Sequence, residues 1–199
     1  MFSTHLSTAI LFAEQLCTRG VERGLVGPRE PERIWERHLL SSAAVAELVP
    51  AGQEVVDLGS GAGLPGIPIA LARPDLEVTL VEPMLRRVRF LEETVGLLGL
   101  SVGVRRARAQ ELPAARCQIV VARALAPLSE LVSMAVPLLR PGGVLLAVKG
   151  DRAEAELQDS AAALAAWPDL HVSLDVCGEA DHTVRVVRIA RPAEKVEER

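Results

Sequence analysis

The pattern of apolar and polar positions changes near residue 50. Before that point, apolar residues recur every three or four positions over 4–18 and again over 31–48. This spacing predicts two helices, the second of which ends before Pro50. After it, short apolar runs alternate with stretches of helical spacing. Such runs are typical of buried strands in a parallel sheet, so the sequence predicts an α/β fold behind a small all-helical N-terminal segment.

Seven strands and four helices are predicted after residue 50. The strands are expected at 54–58, 78–81, 102–104, 119–122, 144–148, 171–177 and 183–189. The helices are expected at 65–72, 85–98, 128–139 and 152–166, with a Pro141-Gly142-Gly143 turn before the fifth strand. Alternating strands and helices imply a mostly parallel seven-stranded sheet with helices on both faces. The terminal strand pair lets one strand insert antiparallel at the sheet edge.

Length and composition suit one domain. The 199 residues are 49% hydrophobic and 24% charged, with a formal net charge of -4. We divide the chain into a helical extension (1–50), a Rossmann-like core (51–191) and a charged tail (192–199). Apolar runs are too short to span a membrane and no signal-peptide pattern is present, so we expect a cytoplasmic protein. The three cysteines lie far apart without a Cys-x-x-Cys pair, and we expect no metal site.

The stretch VVDLGSGAGLPG at 55–66 places three alternating glycines between a predicted strand and a predicted helix. Glycine accepts positive φ and has no Cβ, so Gly59, Gly61 and Gly63 allow a ligand to approach the backbone closely. Turns that bind dinucleotides carry G-x-G-x-x-G, with the pyrophosphate at the helix N-terminus. The tighter spacing here favours a cofactor without phosphates, whose amino-acid part lies against the turn.

Two acidic residues stand where neighbouring strands end. Asp57 lies at the end of the first strand, and Glu82 follows the second strand. A carboxylate at the latter position accepts hydrogen bonds from both ribose hydroxyls. Ribose without pyrophosphate fits S-adenosylmethionine, whose sulfonium charge is compatible with both carboxylates. The residues therefore predict cofactor contacts from Asp57, Glu82 and the three glycines; the alternative is that Asp57 only caps the turn and Glu82 is exposed.

Arginine is clustered although the net charge is negative. The candidates for RNA contact are Arg33, Arg37, His38, Arg86, Arg87 and Lys149. Arg33 and Arg37 share one face of the helix predicted over 31–48. Arg86 and Arg87 lie at the start of the helix predicted over 85–98. Such clusters suit RNA phosphates; the alternatives are solvated faces and, for Arg33 and Arg37, salt bridges with Glu30 or Glu36. For the histidine the alternative is internal hydrogen bonding, and for the lysine it is surface solvation.

Five segments, in this order, resemble one known family. They are GLVGPREPERIWERHLLSS (24–42), VVDLGSGAGLPGIPIA (55–70), RRVRFLEE (86–93), VVARALAPL (120–128) and LLAVKG (145–150). DLGSGAG alone indicates a class I methyltransferase, whereas GLPGIP, RVRFL and ARALAPL together are much more specific. The chain resembles the 16S rRNA guanine-N7 methyltransferase G family, also called the glucose-inhibited division protein B family, over about residues 20–190.

The resemblance implies a class I methyltransferase fold, with S-adenosyl-L-methionine as the cofactor. It also implies methylation of N7 of guanine 527 in 16S rRNA, so the expected partner is this rRNA or the small ribosomal subunit. By the same resemblance, Gly59 and Leu64 contact the cofactor and Ala109 and Gln110 flank its adenine. Arg123 lines the site at the end of the fourth strand. We expect the protein to be a monomer.

Guanine N7 carries an in-plane lone pair and no proton, so transfer to it requires no general base. This agrees with a sequence that has no convincing His/Asp or Cys/His constellation, and Arg123 is predicted to act by positioning the reactants. The closest alternative is a class I methyltransferase for another RNA or a small molecule. A nicotinamide oxidoreductase is disfavoured by the glycine spacing. A non-catalytic RNA-binding module would need neither the glycine turn nor Glu82.

Overall fold

The apolar runs form one seven-stranded sheet in the computed structural model, which describes residues 2, 4–179 and 183–193. The strands are β1 (Glu54–Leu58), β2 (Glu77–Val81), β3 (Gly103–Arg105), β4 (Cys117–Arg123), β5 (Leu139–Lys149), β6 (His171–Cys177) and β7 (Val184–Ala190). Their order is β3-β2-β1-β4-β5-β7-β6. Strands β1 to β5 are parallel, and β7 runs antiparallel between β5 and β6. The predicted strands and the antiparallel insertion are confirmed.

Helices cover both faces of this sheet, as predicted. The α-helices are α1 (Leu6–Gln15), α2 (Ser41–Ala44), α3 (Gly66–Ala72), α4 (Leu85–Leu98), α5 (Leu128–Ala135), α6 (Ala153–Asp159) and α7 (Ala161–Ala165). Helices α1 to α4 pack on one face, and α5 to α7 pack on the other. Within the described ranges, no helix is long and apolar enough to cross a membrane.

The fifth strand begins earlier than predicted. Leu139 already pairs with Cys117, and regular pairing with β4 resumes at Val144. The Pro141-Gly142-Gly143 turn is therefore an irregularity inside β5 and does not precede it. Helix α5 is correspondingly shorter than the predicted helix, because the chain leaves it through a 3-10 turn at Val136–Leu138 to enter the sheet.

The helix predicted at 152–166 is interrupted. It consists of α6 and α7, which are separated by Ser160. The Ser160 hydroxyl donates a hydrogen bond to the Glu156 carbonyl at 2.6 Å, so it competes with the helical backbone pattern. Helical periodicity in the sequence did not reveal this break.

The segment predicted as one helix over 31–48 is helical throughout, but its hydrogen bonding changes along its length. A 3-10 turn (Pro31–Arg33) is followed by π-helical turns (Ile34–Leu40), by α2 and by a second 3-10 turn (Val45–Leu48). Wide π-turns are uncommon and are often found at functional sites. Here they lie against the C-terminal end of β4.

The N-terminal helices share a hydrophobic core with the sheet. Phe12, Leu16 and Leu39 are fully buried in the same cluster as Val55 and Ile67. Removing these helices would therefore expose one face of the sheet. The subdivision of the chain into an extension, a core and a tail stays a prediction, and most of the predicted tail, 194–199, lies outside the described residues.

We predict that Gly66→Ala destabilises the protein while Gly96→Ala, its control in a helix interior, does not. A Cβ at Gly66 would lie 2.3 Å from Leu80 Cδ2 and 2.7 Å from Asp57 Oδ2, so the packing of α3 on the sheet must shift. The cost should be on the order of 1–3 kcal/mol in the free energy of unfolding. A Cβ at Gly96 meets nothing within 4 Å. Denaturant unfolding of both variants measures the difference, and equal stabilities would contradict the prediction.

Candidate active site

The loop after β1 is fixed to the neighbouring strand. The backbone amides of Gly59 and Ser60 donate to the Val81 carbonyl, at 2.8 and 3.1 Å. Gly59, Gly61 and Gly63 have φ values of 75°, 57° and 93°, which glycine adopts without strain. The predicted unit of strand, glycine turn and helix is therefore confirmed.

The three glycines differ in what lies beside them. A Cβ at Gly59 would stand 2.4 Å from Leu125 Cδ1, and one at Gly63 would stand 2.5 Å from Ile67 Cδ1. A Cβ at Gly61 would meet nothing closer than the Gly59 carbonyl oxygen, at 3.9 Å. Access for a ligand is the reason expected from the sequence for all three glycines. In the structure, the chain's own packing also requires two of them, and Gly61 is the glycine that faces open space.

Asp57 lies beneath the turn with no exposed surface. Its Oδ2 accepts a hydrogen bond from the Gly66 amide at 3.0 Å, and its Oδ1 has no hydrogen-bond partner among the residues that the structure describes. Burial raises the pKa of Asp57 to about 7, and the nearby Glu82 carboxylate adds to the rise. From this position Asp57 holds the start of α3 and offers no surface to a ligand, so its placement fits the turn-capping alternative.

Glu82 holds the turn from the other side and is only 1% exposed. Its Oε2 accepts from the Gly61 amide at 3.1 Å, and its Oε1 accepts from the Met84 amide at 3.0 Å. Arg87 Nη1 lies 3.5 Å from Oε2. The exposed alternative for Glu82 is therefore wrong. A carboxylate has about four lone-pair sites, so these three contacts leave room for about one ribose hydroxyl, and the predicted contact with both hydroxyls stays a prediction.

The other cofactor candidates lie at the same edge of the sheet. Because β1 to β4 are parallel, the segments that follow them emerge on one side. Ala109 and Gln110 are in a 3-10 turn after β3, where Ala109 is buried and Gln110 is exposed. Leu64 is half-buried in the glycine turn. The structure brings these segments together, and the individual cofactor contacts stay predictions.

Arg123 ends β4 and turns its guanidinium toward the N-terminal helices. Its Nη1 donates to Ser42 Oγ at 2.7 Å and to the His38 carbonyl at 3.3 Å. Its Nη2 donates to the Arg37 carbonyl at 2.7 Å and to His38 Nδ1 at 3.1 Å. Burial lowers the pKa of Arg123 to about 10, and the positive charge of Arg37 adds to this, so the guanidinium is still charged at neutral pH. Arg123 therefore ties the helical segment to the sheet edge.

A cleft of about 1190 Å³ opens beside Arg123, at the ends of β4 and β5. Its charged lining residues are Arg33, Glu36, Arg37, Arg123, Lys149, Asp151, Arg152, Glu156, Asp159 and Arg185. Basic side chains outnumber acidic ones here, although the whole chain has a negative net charge. The lining of the cleft therefore carries a small positive excess, to which the exposed Arg33 and Arg37 contribute.

Lys149 lines this cleft but is engaged internally and only 9% exposed. Its Nζ donates to the Ala126 carbonyl at 3.0 Å and lies 2.7 Å from Glu156 Oε2. The same carboxylate oxygen accepts from the Leu128 amide at 3.2 Å. The ion pair thus fixes the loop between β4 and α5 at two points. Surface solvation, the alternative for Lys149, is wrong, and its predicted contact with RNA stays a prediction.

The remaining RNA candidates fall into two groups. Arg33 and Arg37 are exposed and line the cleft, although Arg37 Nη1 also lies 3.5 Å from Glu30 Oε1. Arg86 is exposed and Arg87 is half-buried beside Glu82, and neither lines the cleft. For His38, which is half-buried, the structure shows the internal hydrogen bonding that was its alternative.

Three residues at this edge had no predicted role: Ser42, Leu125 and Glu156. Glu30 was expected only as a salt-bridge partner of the arginines, and Arg37 does lie near it. Ser42 follows His38 by four positions, so helical spacing could have placed both on the face that meets β4. Leu125 is an apolar residue in a loop directly after a buried strand, which is a weaker signal. Neither Glu156 nor the contact of Glu30 with His38 has a signal in the sequence.

The parallel sheet with one antiparallel insertion, the glycine turn after β1 and the acidic residue after β2 define a class I methyltransferase. A SAM-dependent O-methyltransferase from Thermotoga maritima has a similar fold, with a TM-score of 0.60 at 16% sequence identity. The match covers 84% of this chain and 72% of that one.

The family described as rRNA small subunit methyltransferase G matches residues 5–184, and the chain belongs to this family. A relative from Thermobifida fusca, named Ribosomal RNA small subunit methyltransferase G, is 53% identical over 193 residues. That match covers 95% of this chain and 81% of the relative. A relative of the same name from Frankia alni is 48% identical over 202 residues, which cover 98% of this chain and 77% of the relative. The resemblance seen in the sequence motifs is thereby confirmed.

We predict that Gly61→Ala weakens cofactor binding and that Gly52→Ala does not. Both glycines have positive φ, and neither added Cβ would meet an atom closer than 3.9 Å, so the two variants carry similar backbone strain. Only Gly61 faces the space beside the turn. Titration calorimetry with S-adenosylhomocysteine should show at least about a tenfold loss of affinity for Gly61→Ala, or roughly 1.4 kcal/mol. Equal affinities would show that the open side of Gly61 is not where the ligand binds.

We also predict that Asp57→Asn changes how stability depends on pH. The folded-state pKa of about 7 lies above the ordinary value of 3.8, so the folded state holds the proton more tightly. The contribution of Asp57 is therefore fully present below the ordinary value and is lost as pH rises through about 7. Unfolding free energies measured from about pH 5 to about pH 8 should fall more steeply in wild type than in Asp57→Asn, by on the order of a few kcal/mol. Parallel curves would contradict the assignment.

Proposed function

We propose that this chain is an S-adenosylmethionine-dependent methyltransferase that methylates 16S rRNA at N7 of guanine 527. The observation that carries the proposal is the meeting of three features at one sheet edge, in a chain of this family: the open position at Gly61, the buried Glu82 and the basic cleft beside Arg123. The first two suit the amino-acid and ribose parts of the cofactor, and the cleft suits the RNA.

The residues of the turn fit this cofactor in charge as well as in space. Asp57 and Glu82 put two carboxyl groups under the turn, and a positive sulfonium bound there would also favour the ionised form of Asp57, whose pKa is about 7 without it. The cofactor supplies an electrophilic methyl group. Gly61 leaves room for it, Glu82 offers acceptors to the ribose, and Ala109 with Gln110 flanks the adenine.

The work of the protein in this reaction is alignment. N7 has a lone pair in the plane of the ring and no proton to lose, so no side chain has to act as a base. Holding the nucleophile in line with the methyl group is an orientation effect, which can contribute several orders of magnitude. Arg123 lines the cleft at the end of β4, and β4 lies beside β1, the strand that leads into the turn, so Arg123 is suited to positioning the target base.

The target base must be accessible to a protein cleft. The major-groove edge of an A-form helix, where N7 lies, is too deep and narrow for side chains, so the target is expected in a loop or an opened nucleotide. Arg33 and Arg37 would hold neighbouring phosphates. We further propose that the protein acts as a monomer in the cytoplasm, on 16S rRNA or on the small ribosomal subunit.

Methyl transfer tests the proposal directly. Labelled S-adenosylmethionine is incubated with the protein and either 16S rRNA or small subunits from a strain that lacks this modification, and the labelled nucleotide is mapped. Label at N7 of guanine 527 is expected. Label in another RNA, or only in a small molecule, would favour the closest alternative. Calorimetry compares the binding of S-adenosylhomocysteine with that of NADH, and binding of NADH alone would favour the oxidoreductase. Binding of RNA but of neither small molecule would favour the binding module.

We predict that Arg33→Ala and Arg37→Ala, combined, weaken RNA binding and flatten its dependence on salt. Each lost phosphate contact should reduce the slope of log affinity against log salt by about 0.7–0.9. Arg116→Ala is the control, because Arg116 is exposed immediately before β4, at the opposite edge of the sheet. RNA affinity is measured at several salt concentrations, and cofactor affinity should be unchanged. If the double variant keeps the wild-type slope, the cleft does not hold phosphates through these arginines.

A further inference from the structure

His38 and Arg123 meet where the N-terminal helical segment crosses the end of β4. Arg123 Nη2 lies 3.1 Å from His38 Nδ1, and on the other side of the ring His38 Nε2 lies 2.6 Å from Glu30 Oε2. The side chains of His38 and Glu30 are 15% and 26% exposed. The three groups form a chain of hydrogen bonds from a partly buried carboxylate to a guanidinium that lines the cleft.

The partners of His38 fix its tautomer. A guanidinium can only donate, so Nδ1 must accept, and a carboxylate can only accept, so Nε2 must carry the proton. The neutral ring with its proton on Nε2 satisfies both contacts, and no other form of the ring does. Glu30 therefore selects the form of His38 that can accept from Arg123.

The four acceptors around Arg123 constrain the guanidinium unequally. Two are backbone carbonyls, which accept over a broad range of directions, and one is the Ser42 hydroxyl, which rotates. His38 Nδ1 has one lone pair in the plane of a ring that is itself held at its far side by Glu30. This contact adds a directional constraint on the guanidinium that the carbonyl and hydroxyl contacts do not supply.

We propose that His38 is a positioning residue for methyl transfer, which sets the orientation of Arg123 at the edge of the cofactor site, and that Glu30 holds His38 in the tautomer that does so. The inference rests on the proposed function, because it gives Arg123 a reaction to serve. It assigns no contact with RNA or cofactor to His38 itself.

Conservative variants separate the two sides of the ring. In His38→Asn the amide oxygen can replace Nδ1 as the acceptor for Arg123, whereas His38→Gln reaches toward Glu30 and leaves Arg123 without that acceptor. His38→Gln should lower the single-turnover rate of methyl transfer by about tenfold or more, with RNA and cofactor affinities within about twofold of wild type. His38→Asn should keep most of the rate, and Glu30→Ala, which removes the acceptor for the Nε2 proton, should lower it. The matched controls are His171→Asn and Glu32→Ala, at exposed positions.

The pH profile provides a readout that a purely structural role would not change. The charged groups that face His38 are Glu30, Arg37 and Arg123. Protonation of Nδ1 would place a donor against the Arg123 donor. Burial and the two arginines lower the pKa of His38 below its ordinary value of 6.5. The hydrogen bond and charge of Glu30 oppose this lowering but do not cancel it. The wild-type rate should therefore be level at neutral pH and fall as pH drops through this lowered pKa, and His38→Asn should lack that fall.

Two results would overturn the positioning role of His38. The first is an equal loss of rate in His38→Asn and His38→Gln that parallels a loss of thermal stability. The second is an unchanged rate in both variants. Nitrogen NMR of the histidine rings should show the Nε2–H tautomer for His38, and the Nδ1–H tautomer would overturn the hydrogen-bond chain by itself. If the wild-type protein transfers no methyl group to rRNA, the proposed function is wrong. The chemical shifts of the His38 ring nitrogens would still decide whether the hydrogen-bond chain from Glu30 to Arg123 exists.

Discussion

The candidate site depends on two buried carboxylates that hold the backbone amides of one turn. Glu82 accepts from Gly61 and Met84, and Asp57 accepts from Gly66 at the start of α3. Buried amides need partners, and charged acceptors make strong ones. Burial raises the pKa of Asp57 to about 7, and repulsion between the Asp57 and Glu82 carboxylates adds to the rise. A cation bound at the turn would reduce that repulsion. The two carboxyl groups that hold the loop therefore also favour a positively charged cofactor.

The second constraint is the guanidinium of Arg123, which joins the N-terminal helices to the sheet. Its acceptors come from the π-helical turns at Ile34–Leu40 and from Ser42 in α2. The N-terminal segment is thus fixed to the sheet edge by polar contacts, and to the sheet face by the apolar core that contains Phe12 and Leu39. The face of the helix that carries Arg33 and Arg37 is held against the cleft as a result.

Much of this architecture could be predicted from the sequence because it follows from local pattern. Apolar runs gave the strands, helical spacing gave the helices, and three alternating glycines placed the turn. Pairing with β4 drew Leu139 into β5, which helical spacing could not foresee, since tertiary contacts override local preference. The partners of Lys149 and His38 were also inaccessible, because Glu156 and Glu30 reach them through packing and turn geometry that no short motif encodes.

In the proposed function, docking and alignment share one residue, Arg37. The Arg37 carbonyl accepts from Arg123, while the Arg37 side chain lines the cleft. A phosphate bound by the Arg37 side chain would therefore act on the same residue whose carbonyl orients the Arg123 guanidinium at the end of β4. Truncating Arg123 would loosen the helix that carries Arg33 as well as the site edge, so its effects on RNA affinity and on rate would be mixed. A change of the His38 side chain leaves the contacts of Arg123 with the two backbone carbonyls and with Ser42 in place. Substitution of His38 can therefore separate the orientation of Arg123 from RNA docking.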